Sequence, residues 1–243
     1  MVDVAMLTKQ GGRDHNEDYI RKATYEEQLC LILCDGLGGH ACGEIASELV
    51  AESIAKRFEK QGYYAGFFKD ALEQAQKELL EEQVRRDLCN SMKTTAVVLV
   101  ITPDLIQWAH IGDSRLYRIY ENGTKYQRTR DHSLVQILCD TGEIKESEIR
   151  THEDRNKLLR AMGARWGTKT YDISAVVERG ETQAFVLMTD GFWEYVYEEE
   201  MIAAYKEASS AQAWLDAMEK YVLKRADMTK TDNYSAIVVR VEE

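Results

Sequence analysis

Apolar residues along this chain follow two patterns, one continuous and one periodic. Residues 29–34 form a continuous apolar run, which predicts a buried strand, and residues 35–40 after it are rich in glycine, as loops are. Between positions 44 and 60 apolar residues recur every four positions, which predicts an amphipathic helix. Residues 67–86 are also periodic and predict a second helix. We expect the two helices to cover one face of a sheet.

Short apolar runs in the rest of the chain predict further strands. They occupy residues 94–101, 106–111, 116–120, 171–177, 184–188 and 236–241. Asn122-Gly123 predicts a hairpin turn, residues 131–163 predict short charged helical pieces at the surface, and residues 210–226 predict one more helix. Repeated alternation of strand and helix is missing, so we expect an α+β fold with layered, mainly antiparallel sheets.

The composition is that of one folded domain. The chain has 243 residues, and because a domain takes about 150, length alone allows one large domain or two small ones. Hydrophobic residues make up 44% and charged residues 30%, which allows a sizeable core and excludes a disordered or fibrous chain. The single proline argues against a proline-rich linker. We therefore expect residues 1–243 to form one domain.

Charge and the length of apolar runs narrow the expected partners and location. With 31 Lys and Arg against 42 Asp and Glu, the net charge is −11, which argues against binding to nucleic acid or anionic membranes. The longest apolar runs have about six residues, far short of the roughly 20 that span a bilayer. The N-terminus lacks the basic start of an export signal, and the five cysteines have no C-x-x-C spacing. We expect a reduced cytoplasmic protein in which Cys30 and Cys34 are buried small hydrophobic residues.

Acidic residues gather where predicted strands end. Three apolar runs lead into an Asp beside a Gly, and a fourth Asp stands at a strand start; these are Asp35-Gly36, Gly112-Asp113, Asp190-Gly191 and Asp232. Each alone is an ordinary turn signal. If the carboxylates converge, their mutual repulsion requires a cation, and oxygen ligands select Mg²⁺ or Mn²⁺ over Zn²⁺. Gly36 is the candidate for a carbonyl ligand, because a residue without Cβ lets the backbone approach an ion.

A series of polar and glycine-rich blocks runs through nearly the whole chain. The blocks are Arg13-x-x-Asn16-Glu17-Asp18, Asp35-Gly36-Leu37-Gly38-Gly39-His40, Gly112-Asp113-Ser114-Arg115, Asp131-His132-Ser133, Arg155-Asn156 with Arg160 and Gly163, Asp190-Gly191-Phe192-Trp193-Glu194, and Asp232-Asn233-Tyr234-Ser235. In this order and spacing they resemble the type-2C metal-dependent protein phosphatases, the PPM family, and in particular its compact bacterial serine/threonine members. One block alone is a weak signal, whereas seven in sequence are specific.

This resemblance implies a fold and a metal site. The fold is two central, mainly antiparallel sheets sandwiched between pairs of helices, a four-layer αββα arrangement. The site is a dinuclear Mn²⁺ or Mg²⁺ centre at one edge of the sheets, with a weaker third ion beside it. The implied ligands are Asp35 bridging both ions, the Gly36 carbonyl on one, Asp190 and Asp232 on the other, Glu17 and Asp18 beside the second ion and partly through water, and Asp113 with Asp190 on the third.

The resemblance also implies an activity and its partners. Water activated between two cations attacks phosphorus in line, without a phosphoenzyme, and Arg13 binds the substrate phosphate with its planar guanidinium. The implied catalytic residues are Arg13, Asp35, Asp190 and Asp232. Phosphoserine and phosphothreonine proteins are the implied substrates, together with a cognate bacterial kinase, and residues 131–166 match a flap beside the active site. We expect a monomer.

Some positions depart from the family pattern or have a simpler interpretation. Leu37 stands where some members carry a His proposed as general acid, and His40 does not inherit that role by proximity. We interpret His110 as a hydrogen-bonded core residue and Arg115 as an ion-pair partner. The alternating aromatic residues of 193–197 suit a strand or turn that packs on the core.

Two alternative functions remain at the level of sequence. One is a pseudophosphatase that binds phosphoproteins without turnover, although intact candidate ligands and Arg13 argue against it. The other is a dinuclear metallohydrolase that acts on small phosphoesters. Turnover of phosphopeptides compared with nucleotides and sugar phosphates distinguishes the second alternative from a protein phosphatase.

Overall fold

The computed structural model describes residues 1–38, 42–88, 91–120, 123–168, 170–179 and 183–242. Its strands are β1 (Val2–Lys9), β2 (Asp18–Tyr25), β3 (Gln28–Leu37), β4 (Lys93–Thr94), β5 (Ala96–Ile101), β6 (Leu105–Ile111), β7 (Arg115–Tyr120), β8 (Lys125–Arg128), β9 (Asp172–Ile173), β10 (Val177–Glu178), β11 (Gln183–Met188) and β12 (Tyr234–Val241). Its α-helices are α1 (Cys42–Gln61), α2 (Phe67–Arg85), α3 (Leu134–Asp140), α4 (Asp190–Trp193), α5 (Glu198–Glu207) and α6 (Ala211–Arg225), and a 3₁₀ helix covers Glu146–Thr151.

The strands form two sheets. One sheet has the order β1-β12-β11-β7-β8, and the other has the order β10-β6-β5-β3-β2, with β4 beside β3 and β9 beside β6. The strand pairs in both sheets are antiparallel. The predicted α+β class with mainly antiparallel sheets is therefore confirmed.

Three apolar layers hold the sheets and helices together. Leu31 and Leu33 of β3 lie in the core between the two sheets, where Leu187 and Ile237 of the other sheet also lie. Cys30 and the other alternate residues of β3 lie in a second core with α1 and α2. A third core joins the five-stranded sheet to α5 and α6. The fold thus has the four-layer αββα arrangement, and β3 is continuously apolar because both of its faces are buried.

The structure differs from the elements predicted from the sequence at several places. The sequence did not predict β1 or β2, and the expected strand over 171–177 is reduced to β9 and β10. Trp193 lies buried in the short helix α4 rather than in a strand or turn. Asn122 of the expected hairpin turn lies outside the described residues, while Gly123 after it has φ +78°. No helix in the described ranges combines the length and apolar character that crossing a membrane requires.

Residues 131–163 contain α3 and the 3₁₀ helix, which are the short helical pieces that the sequence predicted, and α2 anchors the end of this segment. Ser133 caps α3 by accepting a hydrogen bond from the Gln136 amide. Two buried glutamines of α2 then bind the segment: Gln76 Oε1 accepts from the Gly163 amide (2.7 Å), and Gln83 Nε2 donates to the Gly163 carbonyl (2.9 Å). The end of the segment is therefore fixed to the helical layer.

Arg115 forms a buried ion pair, as predicted. Its Nη2 lies 2.6 Å and its Nε 2.9 Å from the two carboxylate oxygens of Asp131, and both side chains are at most 3% exposed. The guanidinium also stacks 3.5 Å from the centre of the Trp193 ring. This ion pair joins the β7 strand to the start of the 131–166 segment.

Replacing Arg115 by methionine should lower the free energy of unfolding by about 3 kcal/mol, because it leaves the Asp131 carboxylate buried with a weaker partner. For a chain of this length the expected fall in Tm is roughly 6 to 12 °C. Thermal unfolding followed by circular dichroism measures it. The matched control is Arg130→Met, which breaks the exposed pair with Asp140 and should cost under about 1 kcal/mol. An equal effect of both substitutions would contradict the buried-pair account.

Candidate metal centre

A cavity of about 440 Å³ opens at the edge where strands of both sheets end. It is lined by Arg13, Asp14, His15, Glu17, Asp35, Gly36, Leu37, Gly38, Asp113, Asn156, Leu158, Asp190, Asp232 and Asn233. Six of these residues carry carboxyl groups and one carries a guanidinium. The cavity is therefore strongly acidic.

Asp35 and Gly36 reach the cavity from the end of β3. The Asp35 amide donates to Thr95 Oγ1 (3.0 Å), and the Asp35 carbonyl accepts from the Thr95 amide (2.8 Å). A Cβ at Gly36 would lie 2.3 Å from the Gly43 carbonyl oxygen and 2.6 Å from that of Glu17. Two other chain segments are thus in close contact with the backbone at Gly36, and no side chain fits there.

Asp18 joins the two sheets behind the cavity. Its register partner across β2 and β3 is Asp35. Its Oδ2 accepts hydrogen bonds from Ser235 Oγ (2.7 Å) and Thr189 Oγ1 (3.0 Å), both in the opposite sheet or at its end. Asp18 is buried and does not line the cavity, whereas Glu17 before it does.

Asp190 and Asp232 lie together because they flank paired strands. Asp190 follows β11 and begins α4, and Asp232 precedes β12, which pairs with β11. The Thr189 amide donates to the Ser235 carbonyl (3.1 Å), which extends this pairing to the cavity edge. Asp113 arrives from the turn between β6 and β7, and its carbonyl accepts from Trp193 Nε1 (3.1 Å).

Arg13 lies at the open side of the cavity. Its Nη2 is 2.6 Å from Asp232 Oδ2, and its side chain is 56% exposed. Asn233 fixes the Arg13 loop, because its Nδ2 donates to the carbonyls of Gln10 (2.6 Å) and His15 (2.8 Å). Its Oδ1 accepts from the Glu17 amide (2.8 Å). Arg13 can therefore contact an anion entering from solvent while its backbone stays in place.

Burial and mutual repulsion raise the pKa values of the carboxyl groups around the cavity. Burial raises the pKa of Asp18 to about 8 and that of Asp190 to about 7. Burial, followed by the charges of neighbouring carboxylates, holds the pKa values of Asp35 and Asp113 well above their usual range. Burial and the charge of a nearby carboxylate also raise the pKa of Glu17. Ionising the whole cluster is unfavourable without added positive charge.

The donor set fits hard divalent cations. Carboxylate oxygens and a backbone carbonyl are the ligands that Mg²⁺ and Mn²⁺ prefer, and the described lining residues include no cysteine. Cations here would supply the positive charge that the raised pKa values call for. The convergence expected from the sequence is thus present for Glu17, Asp35, Gly36, Asp113, Asp190 and Asp232.

The sequence missed the residues that hold these side chains in place. Thr189 is an ordinary strand-end residue in sequence, and Ser235 stood in a quoted block without an assigned role; their contacts with Asp18 span 171 and 217 positions. Asn233 stood in a quoted block, but nothing in the sequence showed that it fixes the Arg13 loop. His40 lies outside the described residues. Leu37 lines the cavity at the position where some family members carry a histidine.

A second group of potential metal ligands lies apart from the residues that line the cavity. The ligand atoms of His110, His132 and Asp172 are within 4.8 Å of one another. Protein groups already bind them: His110 Nε2 is 2.8 Å from the Arg130 carbonyl oxygen, and His132 Nε2 is 3.0 Å from Asp172 Oδ2. His110 is therefore the hydrogen-bonded core histidine that the sequence predicted.

With this fold and this acidic cavity, the chain belongs to the protein phosphatase 2C family, whose model matches residues 10–230. It is 31% identical over 237 residues to serine/threonine phosphatase stp of Listeria welshimeri, a match that covers 93% of this chain and 90% of that protein. It is 28% identical over 198 residues to protein phosphatase PhpP of Streptococcus pneumoniae, covering 78% of each. The crystal structure of serine/threonine phosphatase Stp1 from Staphylococcus aureus superposes with a TM-score of 0.89 at 27% identity, covering 100% of this chain and 96% of that one. These likenesses identify a metal-dependent protein serine/threonine phosphatase of bacterial type.

Proposed function

We propose that the acidic cavity is a dinuclear Mn²⁺ or Mg²⁺ centre that hydrolyses phosphoserine and phosphothreonine in proteins. Asp35 would bridge both ions, the Gly36 carbonyl would bind one, and Asp190 and Asp232 the other. Glu17 lies at the cavity wall, where it would neighbour the second ion, and Asp18 behind it would act through water. Asp113 with Asp190 would hold a weaker third ion. The observation that carries this proposal is the convergence of buried Asp113 and half-buried Asp35 and Asp190, all with raised pKa values, in one cavity.

The chain's own residues prepare the site for phosphate. Divalent cations bound there supply Lewis-acid activation of water and neutralise charge on the phosphoryl oxygens. Arg13 presents a planar pair of N–H donors at the open side, where two phosphate oxygens can accept from it. Asn233 fixes the loop that carries Arg13, so the guanidinium is held near the carboxylates before substrate arrives.

Residues 131–166 serve in this proposal as a flap that influences substrate access. Asn156 and Leu158 from this segment line the cavity. Arg155 Nε lies 2.7 Å from Glu194 Oε1, directly after α4, which carries Asp190. We further propose that residues 1–243 form one catalytic domain, active as a cytoplasmic monomer on phosphoproteins of a cognate bacterial kinase.

Replacing Arg13 by alanine should raise KM for a phosphothreonine peptide about tenfold and change kcat by less than about threefold, if Arg13 chiefly binds ground-state phosphate. Arg13→Lys should have a KM between those of wild type and Arg13→Ala, because it keeps the charge and loses the planar pair of donors. Steady-state kinetics over a range of peptide concentrations measures both constants. A large fall in kcat at unchanged KM would instead place the Arg13 contact in the transition state.

The substrate class is tested by comparing phosphoserine and phosphothreonine peptides with nucleotides and sugar phosphates at equal Mn²⁺. A higher kcat/KM for the peptides supports the protein phosphatase. A preference for the small phosphoesters would favour a general phosphoesterase. Folded protein that binds phosphopeptide but turns over neither class would identify a pseudophosphatase.

A further inference from the structure

His132 holds both main-chain polar groups of Gly112, the residue before Asp113. The His132 amide donates to the Gly112 carbonyl (2.8 Å), and His132 Nδ1 accepts from the Gly112 amide (3.2 Å). Gly112 has φ +106°, and a Cβ there would lie 2.6 Å from Thr95 Cγ2, so this turn requires glycine. A conformation that only glycine adopts easily needs such external contacts to stay in one geometry.

Two neighbours fix the orientation of the His132 ring. Because Nδ1 accepts from an amide, the proton lies on Nε2, which donates to Asp172 Oδ2 (3.0 Å). Asp172 in turn is the register partner of His110 across β6 and β9. The His110 ring stacks on His132 with centres 4.6 Å apart and an angle of 19° between planes. Burial lowers the pKa of His132 to about 4, so the ring is neutral at pH 7 and Nδ1 can accept.

Asp113 depends on this main-chain geometry because its carboxylate accepts from its own backbone amide, which is part of the same turn. Within the part of the chain that the structure describes, no side-chain donor hydrogen-bonds to the Asp113 carboxylate. The Asp113 carbonyl accepts from Trp193 Nε1, and His132 contacts both the amide and the carbonyl of Gly112 before it. The direction of the carboxylate therefore follows from how these two contacts set the turn.

We propose that His132, oriented by Asp172, is a positioning residue that holds the Gly112–Asp113 turn so that Asp113 can bind the weaker third cation. The inference rests on the proposed function, since it takes Asp113 as a ligand of that ion. Contacts that orient metal ligands typically change affinity by about 10 to 100-fold when they are lost. The tighter ions, held by Asp35, Asp190 and Asp232, should not depend on His132.

The test compares two replacements that each keep one of the two hydrogen-bonding functions of the imidazole ring. His132→Asn keeps an acceptor where Nδ1 stands, and His132→Gln keeps a donor near Nε2 but loses the acceptor. Binding of Mn²⁺ to metal-free protein at pH 7 is followed by the electron paramagnetic resonance signal of the free ion. We expect His132→Gln to weaken the weakest class of bound Mn²⁺ about tenfold and to leave the tighter class unchanged. His132→Asn should stay within about threefold of wild type.

A double replacement shows whether the effect passes through Asp113. In an Asp113→Asn background, His132→Gln should cause no further loss, because the two residues act on one ligand. An equal effect with and without Asp113, loss of the tighter ions, or wild-type binding by His132→Gln would each overturn the proposal. If His132→Gln does not fold, Asp172→Asn is measured instead; Asp172 is 58% exposed, and the expected weakening is about threefold.

A measurement without metal separates this inference from the proposed function. Nitrogen-15 NMR of the His132 ring should show Nε2 protonated and Nδ1 unprotonated at pH 7. A proton on Nδ1 would overturn the positioning role whatever the protein binds. Wild type that binds no weak third Mn²⁺, with Asp113→Asn unchanged, would instead show that the third site of the proposed function is wrong, and the inference would fall with it.

Discussion

Replacing Asp190 by alanine should lower turnover of a phosphothreonine peptide about 10³-fold and leave the protein folded. Asp190 is the proposed ligand of two of the ions, so its loss removes part of the positive charge that the reaction needs. In metal-free protein the change relieves repulsion, because burial and the neighbouring carboxylates raise the pKa of Asp190 to about 7. Peptide hydrolysis measures the first effect, and thermal unfolding in a chelator measures the second.

The matched control is Asp104→Ala, an exposed aspartate in the turn between β5 and β6. This turn lies at the other end of β6 from Asp113, so the Asp104 carboxylate should not affect the rate of peptide hydrolysis. Wild-type turnover by Asp190→Ala would show that the site is wrongly assigned. A large loss of folded protein would show that Asp190 stabilises the metal-free fold, contrary to the repulsion argument.

Metal-free protein should lose stability as the pH rises from about 5 to 8, by about 3 kcal/mol or more, which corresponds to roughly 10 °C in Tm. The folded-state pKa is about 8 for Asp18 and about 7 for Asp190, whereas these groups titrate near 4 when unfolded. Between these values the folded chain retains protons that the unfolded chain has released, so raising the pH favours unfolding. Below pH 4 both states are protonated and the effect disappears.

Saturating Mn²⁺ should remove most of this pH dependence of stability, because bound cations then compensate the carboxylate charge in place of protons. Asp18→Asn should reduce the slope in chelator, since its amide oxygen can still accept from Thr189 and Ser235 without a buried charge. Thermal melts at several pH values, with chelator or with Mn²⁺, make the comparison. Stability that rises steadily from pH 5 to 8 in chelator would contradict the account of the carboxylate cluster.

The fold could be predicted where burial is complete and not where it is partial. β3 was found because both faces are buried, between α1 on one side and the second sheet on the other. β2 mixes Arg21 and Lys22 with half-buried residues, and its place at a sheet edge leaves no continuous apolar run. β1 is likewise an edge strand with partial burial. Such strands are recognised by their partners, which the linear sequence does not show.

The candidate site likewise has residues that could be predicted from the sequence and contacts that could not. Asp35, Asp190 and Asp232 could be predicted because each adjoins an apolar strand and matches a family block. The hydrogen bonds around Asp18 and the contact between His132 and Gly112 could not, because they depend on which strand ends meet across the two sheets. The contacts of Asp18 with Thr189 and Ser235 join residues 171 and 217 positions apart and leave no local signal. The carboxylates that line the cavity could thus be named from the sequence, whereas the contacts that hold them in place could not.

Crystals grown with Mn²⁺ and measured at the manganese absorption edge test the central claim most directly. We expect two strong anomalous peaks in the cavity, both within about 2.5 Å of an Asp35 carboxylate oxygen, with the Gly36 carbonyl on one and Asp190 and Asp232 on the other. A weaker third peak should lie beside Asp113. Peaks at His110, His132 and Asp172 instead, with the acidic cavity empty, would contradict the proposed metal centre.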